Sequence, residues 1–185
     1  MNKSQSGFTL IEVMIAALVL SIGLLGVFQL HLVAKRSTYE SFNYAQAHAL
    51  ATDIVERMRV NPSQLAGYAS RAYGQQTFAA PQKLCSGSAV AQSPCNASEM
   101  MAWDRHIWER MLTGDDERVD GRIVGGATGR RGCITTTGED VEVVVVWSGM
   151  DETSDGAVGG TAAQCGEGNA RRRSVRIVTK IAANA

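Results

Sequence analysis

With 185 residues and 18 Lys+Arg balanced by 18 Asp+Glu, the chain carries no global charge that would draw it to nucleic acid or to an acidic surface. Once an apolar segment near the start is set aside, about 150 residues remain, enough for one modest domain with its own core and too few for several. Composition thus excludes a multidomain protein and a polycationic binder.

In chain order, the first element is a polar leader, residues 1–7, that runs into Phe8-Thr9-Leu10-Ile11-Glu12 and an apolar stretch ending near Ala34. A secretory signal peptide has its small-residue cleavage site after the apolar region. Here Gln29, His31, Lys35 and Arg36 stand at that end, and the small residue suited to cleavage, Gly7, lies before it. A cut after Gly7 keeps the apolar helix in the mature protein. Residues 8–34 are long enough to cross a hydrocarbon layer of ~30 Å, for which ~20 residues suffice. Ser21, Gly23 and Gly26 supply small side chains against which another helix can pack closely. Lys3 on one side and Lys35 and Arg36 on the other leave the positive-inside rule nearly neutral.

Glu12 is the anomaly. A charge within a bilayer costs at least ~2.5–3.5 kcal/mol on insertion scales and usually marks a function or a partner. Glu12 lies about 6 Å along a helix from Phe8. A new amine on Phe8 would therefore sit near its depth, and Glu12 of one chain can pair with the amine of a neighbour.

The helical pattern continues past the apolar run. Tyr39, Phe42, Ala45 or Gln46, Ala49, Ile54 and Met58, with Leu50 and Val55 alongside, predict an amphipathic half over residues 35–61. Asn61-Pro62 ends it, because the residue before proline is biased away from the helical region. Residues 63–97, rich in Gly, Ala, Ser and Gln, read as a loop with little regular structure. Ser98 then reads as the cap of a second helix that stops at Gly114, with Trp103, Ile107 and Met111 facing a core. Strands are predicted over Arg118–Val124, Cys133–Thr137 and the β-branched run Val141–Trp147, the last two joined by a turn through Thr136–Asp140. Ser174–Ile181 closes the series, with Val175, Ile177, Val178 and Ile181 set against Arg176 and Lys180. The expected class is α+β: residues 62–185 form a globular domain, and the long N-terminal helix packs on its small antiparallel sheet.

The four cysteines, Cys85, Cys95, Cys133 and Cys165, suit two disulfides in an oxidising compartment and permit three pairings. The short 85–95 loop and the glycine-rich connection after the strand hairpin favour Cys85–Cys95 with Cys133–Cys165. No cysteine or histidine spacing suits zinc. Gly125–Gly129 lacks the Gly-Lys-Ser/Thr of a phosphate loop. Asp151–Gly156 opens like a calcium loop, but Ala162 stands where the bidentate glutamate belongs, which makes it a solvated turn. His31, His48 and His106 are scattered, and Arg171-Arg172-Arg173 with Arg176 reads as a solvated lead-in to the last strand. No catalytic, cofactor-binding or metal set is expected, and no nucleic-acid partner.

The string Gly7-Phe8-Thr9-Leu10-Ile11-Glu12 resembles the prepilin cleavage and N-methylation motif of type IV pilins and type II secretion pseudopilins. Val13 to Gly26, and later Ala49 to Pro62, are similar to the minor pilins called type IV pilus modification proteins, the PilV branch. The resemblance covers roughly the first third of the chain and implies a pilin-like fold. It also implies cleavage after Gly7 by a membrane prepilin peptidase, methylation of the Phe8 amine, and a role for Glu12 in docking into the filament. The implied location is the inner membrane, single-pass with a periplasmic C-terminal domain, and then the extracellular pilus. The implied partners are other minor pilins and the major pilin, with priming of assembly as the task. Major pilins often carry a proline late in this helix, whereas here none precedes Pro62. Two alternatives stand beside this reading: a minor pseudopilin of a type II secretion system, and a signal-anchored periplasmic enzyme.

Overall fold

The computed structural model describes residues 7–75, 78–86, 93–127 and 129–182. The chain divides into two compact units, Met1–Glu40 and Ser41–Ala185, and a 51-residue helix α1, Leu10–Val60, contributes to both. In the first unit every described residue as far as Tyr39 is exposed.

In the second unit α1 buries Asn43, Ala47, Ala51, Ile54, Val55 and Met58. The lower part of the expected stripe is there, but its upper part is turned. Phe42 is 58% exposed and Ala45 and Ala49 are exposed, while the four-residue series Asn43, Ala47, Ala51, Val55 faces inward. Ala47, Ala51 and Val55 share the main core with Val141, Val143 and Val145, and Phe42 stays outside it.

Pro62 opens a 3-10 turn, Pro62–Gln64, that passes into a short helix α2, Leu65–Tyr68, and a strand β1, Ser70–Tyr73. This corrects the loop expected from residue 63 onward. Leu65, Tyr68 and Tyr73 are buried and anchor the segment. β1 is a short edge strand with an irregular register, Ser70 opposite Ile134 and Tyr73 opposite Gly132, too brief for alternation to reveal. Residues 76–77 and 87–92 of the same expected loop lie outside the described residues.

Helix α3, Ala97–Thr113, starts two residues earlier than a Ser98 cap would allow. Asn96 Oδ1 accepts from the Glu99 amide at 2.9 Å and Glu99 Oε2 accepts from the Asn96 amide at 2.8 Å, a capping box. Gly114 ends the helix in the left-handed region, at φ 69°. Its buried face is Asp104, Trp108, Glu109 and Leu112, whereas the expected Trp103, Ile107 and Met111 are half-buried. Two acids go inward because each has a donor waiting. Asp104 accepts from Arg57 and Tyr68, and Glu109 accepts from the Gly74 amide at 2.7 Å.

The main sheet is antiparallel, in the order β1-β4-β5-β6, with β4 Arg131–Thr137, β5 Asp140–Ser148 and β6 Arg172–Lys180. Gly138, at φ 60°, takes the first place of the two-residue β4–β5 turn, the place a type II′ hairpin gives to glycine. Arg118–Val124 is not one strand. β2, Arg118–Val119, and β3, Arg122–Ile123, fold back on each other around Asp120-Gly121, both at positive φ as a type I′ turn requires.

The valine run of β5 is explained by burial on both faces. Val141, Val143, Val145 and Trp147 join α1, Trp108 and Leu112 in the main core. Val144 and Val146 join Cys133, Cys165, Ala157 and Ala162 in a smaller cluster on the opposite face. There a short helix α4, Gly160–Ala163, leads to Cys165, and the bonds Cys85–Cys95 and Cys133–Cys165 are both formed. Val178, read as a core position, is 59% exposed, because it stands opposite Glu142 on the outer face. Arg172 corrects the solvated reading of the arginine run: it is 5% exposed and donates to both oxygens of Asp155 at 2.7 Å. The former calcium-like turn therefore holds a strand in place.

Candidate functional site

Gly7, Phe8 and Thr9 precede α1 without helical structure, and Phe8 is 85% exposed. Thr9 starts the helix. Its carbonyl accepts from the amides of Glu12 at 3.1 Å and Val13 at 3.3 Å, and its hydroxyl accepts from the Glu12 amide at 3.4 Å. Thr9-Leu10-Ile11-Glu12 thus has the spacing of a capping box, a signal visible in the sequence but not used above. Glu12 lies in the first turn, where a carboxylate is favoured by the positive end of the helix dipole. Glu12 thus suits the helix start, and its side chain is exposed.

From Leu10 to Val33 every Leu, Ile, Val, Met and Phe is more than a third exposed. This part of α1 is long and apolar enough to cross a membrane. Its hydroxyls suit such surroundings: Ser21 donates to Ala17 O at 2.7 Å and so satisfies its own hydrogen. Gly23 and Gly26 have open space where a Cβ would stand, as does Gly7. Glycine costs a helix interior about 1 kcal/mol relative to alanine, and among the described residues nothing comes close enough to require the absence of a methyl group there. The room they leave faces outward.

In the second unit the end of α1 is fastened by a partly buried polar network. Arg57 bridges Asp53 at 2.8 Å and Asp104 at 3.0 Å. Tyr68 Oη donates to Asp104 at 2.7 Å, and Asn61 Nδ2 donates to Ala97 O at 2.7 Å. Burial raises the Tyr68 phenol well above its ordinary range, and the bond to Asp104 adds to this. Burial works against the Arg57 charge, but hydrogen bonds to Asp53 and Asp104 outweigh it and leave its pKa raised. Apart from Asn61, read as the end of the helix, these residues did not stand out in the sequence. The available signal was an aspartate, Asp104, interrupting an apolar face of α3.

Gly7 and Phe8 just before α1 and Glu12 in its first turn are thus exposed, while the four cysteines form two structural crosslinks. Among the described residues no group of His, Cys, Asp and Glu could hold a metal ion. Residues 2–28 match the family model of the prokaryotic N-terminal methylation motif, and residues 29–106 match that of the type IV pilin Tt1218. No curated protein and no solved structure matches the chain. The matched family is structural and non-enzymatic.

Proposed function

We propose that this chain, which over residues 2–106 is a type IV pilin with an N-methylation motif, is a minor pilin of the PilV type. The apolar helix and the pilin match imply anchoring in a membrane and a place in a pilus. A prepilin peptidase cuts after Gly7 and methylates the Phe8 amine. The subunit waits in the inner membrane with its C-terminal domain in the periplasm. It then moves from lipid into a bundle of like helices formed by other minor pilins and the major pilin. There Glu12 pairs with the Phe8 amine of a neighbour, so that neither charge is buried alone.

The observation that carries this reading is the exposed apolar surface of α1 from Leu10 to Val33 with one carboxylate, Glu12, four residues from the cleavable position. A lipid anchor alone needs no acid in that place; lateral assembly does. Mass spectrometry of the mature N-terminus tests it. The chain should begin at Phe8 with one added methyl group, and an intact Met1 or a cut after Ala34 overturns the reading.

A further inference from the structure

One end of the main sheet holds a cleft of roughly 690 Å³, formed where β1 ends, β4 begins, β5 ends and the segment after α4 passes over. We propose that this cleft binds a short carboxylate-rich peptide segment of a partner protein. The inference is independent of the pilin reading, since it uses residues of the second unit only.

The argument begins with charge. Arg71 and Arg131 both line the cleft, and their hydrogen bonds end on neutral oxygens. Arg71 Nη1 donates to Gln164 Oε1, and Arg131 Nη1 donates to Gly74 O and to Arg130 O. Arg57, Arg110, Arg118, Arg171 and Arg176 each sit against an aspartate or glutamate, and so does Arg172 on the cleft floor. Among the described residues, Arg71 and Arg131 have no such ion pair. Glu167 is the acid of the lining, so two guanidiniums without an ion pair share the cleft with one carboxylate.

Arg131 is also held in position. An added Cβ on Gly166 would lie 3.5 Å from Arg131 Cγ, and one on Gly74 would lie 3.3 Å from its Cδ. The stem runs between two glycines whose φ values, +69° and +88°, disfavour any other residue. The Cys133–Cys165 bond ties the Gln164–Gly166 wall to β4. A cation fixed before its partner arrives loses little entropy on binding.

The chemistry of the lining selects the ligand. A guanidinium fork matches a carboxylate with two parallel hydrogen bonds. The side-chain amides of Gln75, Gln164 and Asn169 suit peptide carbonyls and amides. The volume lies within the range of sites that enclose a few residues, roughly 300–1,000 Å³. A single-stranded nucleic acid needs an aromatic face on which bases stack. The aromatic residue of this lining, Trp147, is 3% exposed and packs edge-on against Tyr44, so it offers none.

Fluorescein-labelled hexaglutamate, titrated against the full chain in detergent micelles and followed by anisotropy, is the direct test. Saturable binding that weakens from low to physiological salt is expected, and Arg71→Ala should weaken it about tenfold, with Arg71→Lys between. Arg71 is exposed, so its replacement should leave the melting temperature unchanged. Arg176→Ala, outside the cleft, should leave the affinity unchanged. The proposal is overturned if hexaglutamate does not bind, if Arg71→Ala binds it as well as the parent chain, or if labelled oligothymidine binds more tightly than the peptide.

Discussion

Gly132→Ala probes how α3 is seated on the sheet. Gly132 lies in β4 beneath two fully buried side chains, Trp108 and Leu112. A methyl group there would stand 2.4 Å from Trp108 Cη2, 2.7 Å from its Cζ3 and 2.9 Å from Leu112 Cδ1. The indole has no room to retreat, because Nε1 donates to Leu50 O at 2.9 Å and the ring packs edge-on to Tyr73 at 4.7 Å. Overpacking of this kind costs about 1–3 kcal/mol. Against it stands about 0.4–1 kcal/mol gained by stiffening the unfolded chain, since Gly132 does not adopt a positive φ. Three contacts under 3.0 Å put the cost at the upper end of that range, so the net expectation is a loss of about 2 kcal/mol, or roughly 4–8 °C in melting temperature. Near-ultraviolet circular dichroism of the full chain in detergent reads the transition. The decisive control is the same change in a Trp108→Phe background, which removes the two indole carbons that would clash. There alanine should be neutral or stabilising, so that the two substitutions couple by about 2–3 kcal/mol. A single variant that melts within a degree of the parent, or an equal loss in both backgrounds, refutes the packing argument.

Cys133→Ser with Cys165→Ser opens a loop of separation 32, whereas Cys85→Ser with Cys95→Ser opens one of separation 10. Loop entropy alone gives losses of about 4 and about 3 kcal/mol respectively, and chemical denaturation should rank the two pairs in that order. Asp104→Asn leaves Arg57 with Asp53 alone and removes the charge that Tyr68 donates to. A loss of about 2–3 kcal/mol is expected, below the full cost of breaking a buried pair because Arg57 keeps one partner, and equilibrium unfolding measures it. Asp155 is held below its ordinary value of 3.8, chiefly by hydrogen bonds from Arg172 and then by the Ala157 amide. Its contribution is complete above that value and is lost as pH falls toward the folded one. The melting-temperature gap between parent and Asp155→Asn should therefore be flat above about pH 5 and close in acid; a gap that persists unchanged in acid argues against the tie. Glu12→Leu should leave the second unit folded yet stop incorporation into filaments, scored by immunoblot of sheared pili. Normal incorporation would remove Glu12 from the assembly mechanism.

Much of this protein was legible in the sequence wherever one local cause dominates. The apolar run from Leu10 to Val33 needs no tertiary partner to be recognised, and neither does an acid placed within it. Asn61-Pro62 ends α1 and Gly114 ends α3 through backbone sterics confined to the residues themselves. The valine run of β5 stands out because both faces of that strand are buried from Val143 to Trp147, so each of those positions is apolar. The tertiary structure alone decided which side of a helix turns inward. On α1, Phe42 and Ala47 are both credible core residues by hydropathy, and the fold turns the alanine into the core while Phe42 stays exposed. On α3 the inward face carries Asp104 and Glu109, whose burial is tolerable only because Arg57, Tyr68 and the Gly74 amide arrive from distant segments. Arg172 looked like solvated charge until Asp155 and the carbonyls of Ala157 and Cys165 closed around it. Helical periodicity states that a face exists, but a rotation of one residue changes its score little. What fixes the rotation is whether each polar atom finds a partner and each contact fits, and both depend on residues far away in the chain.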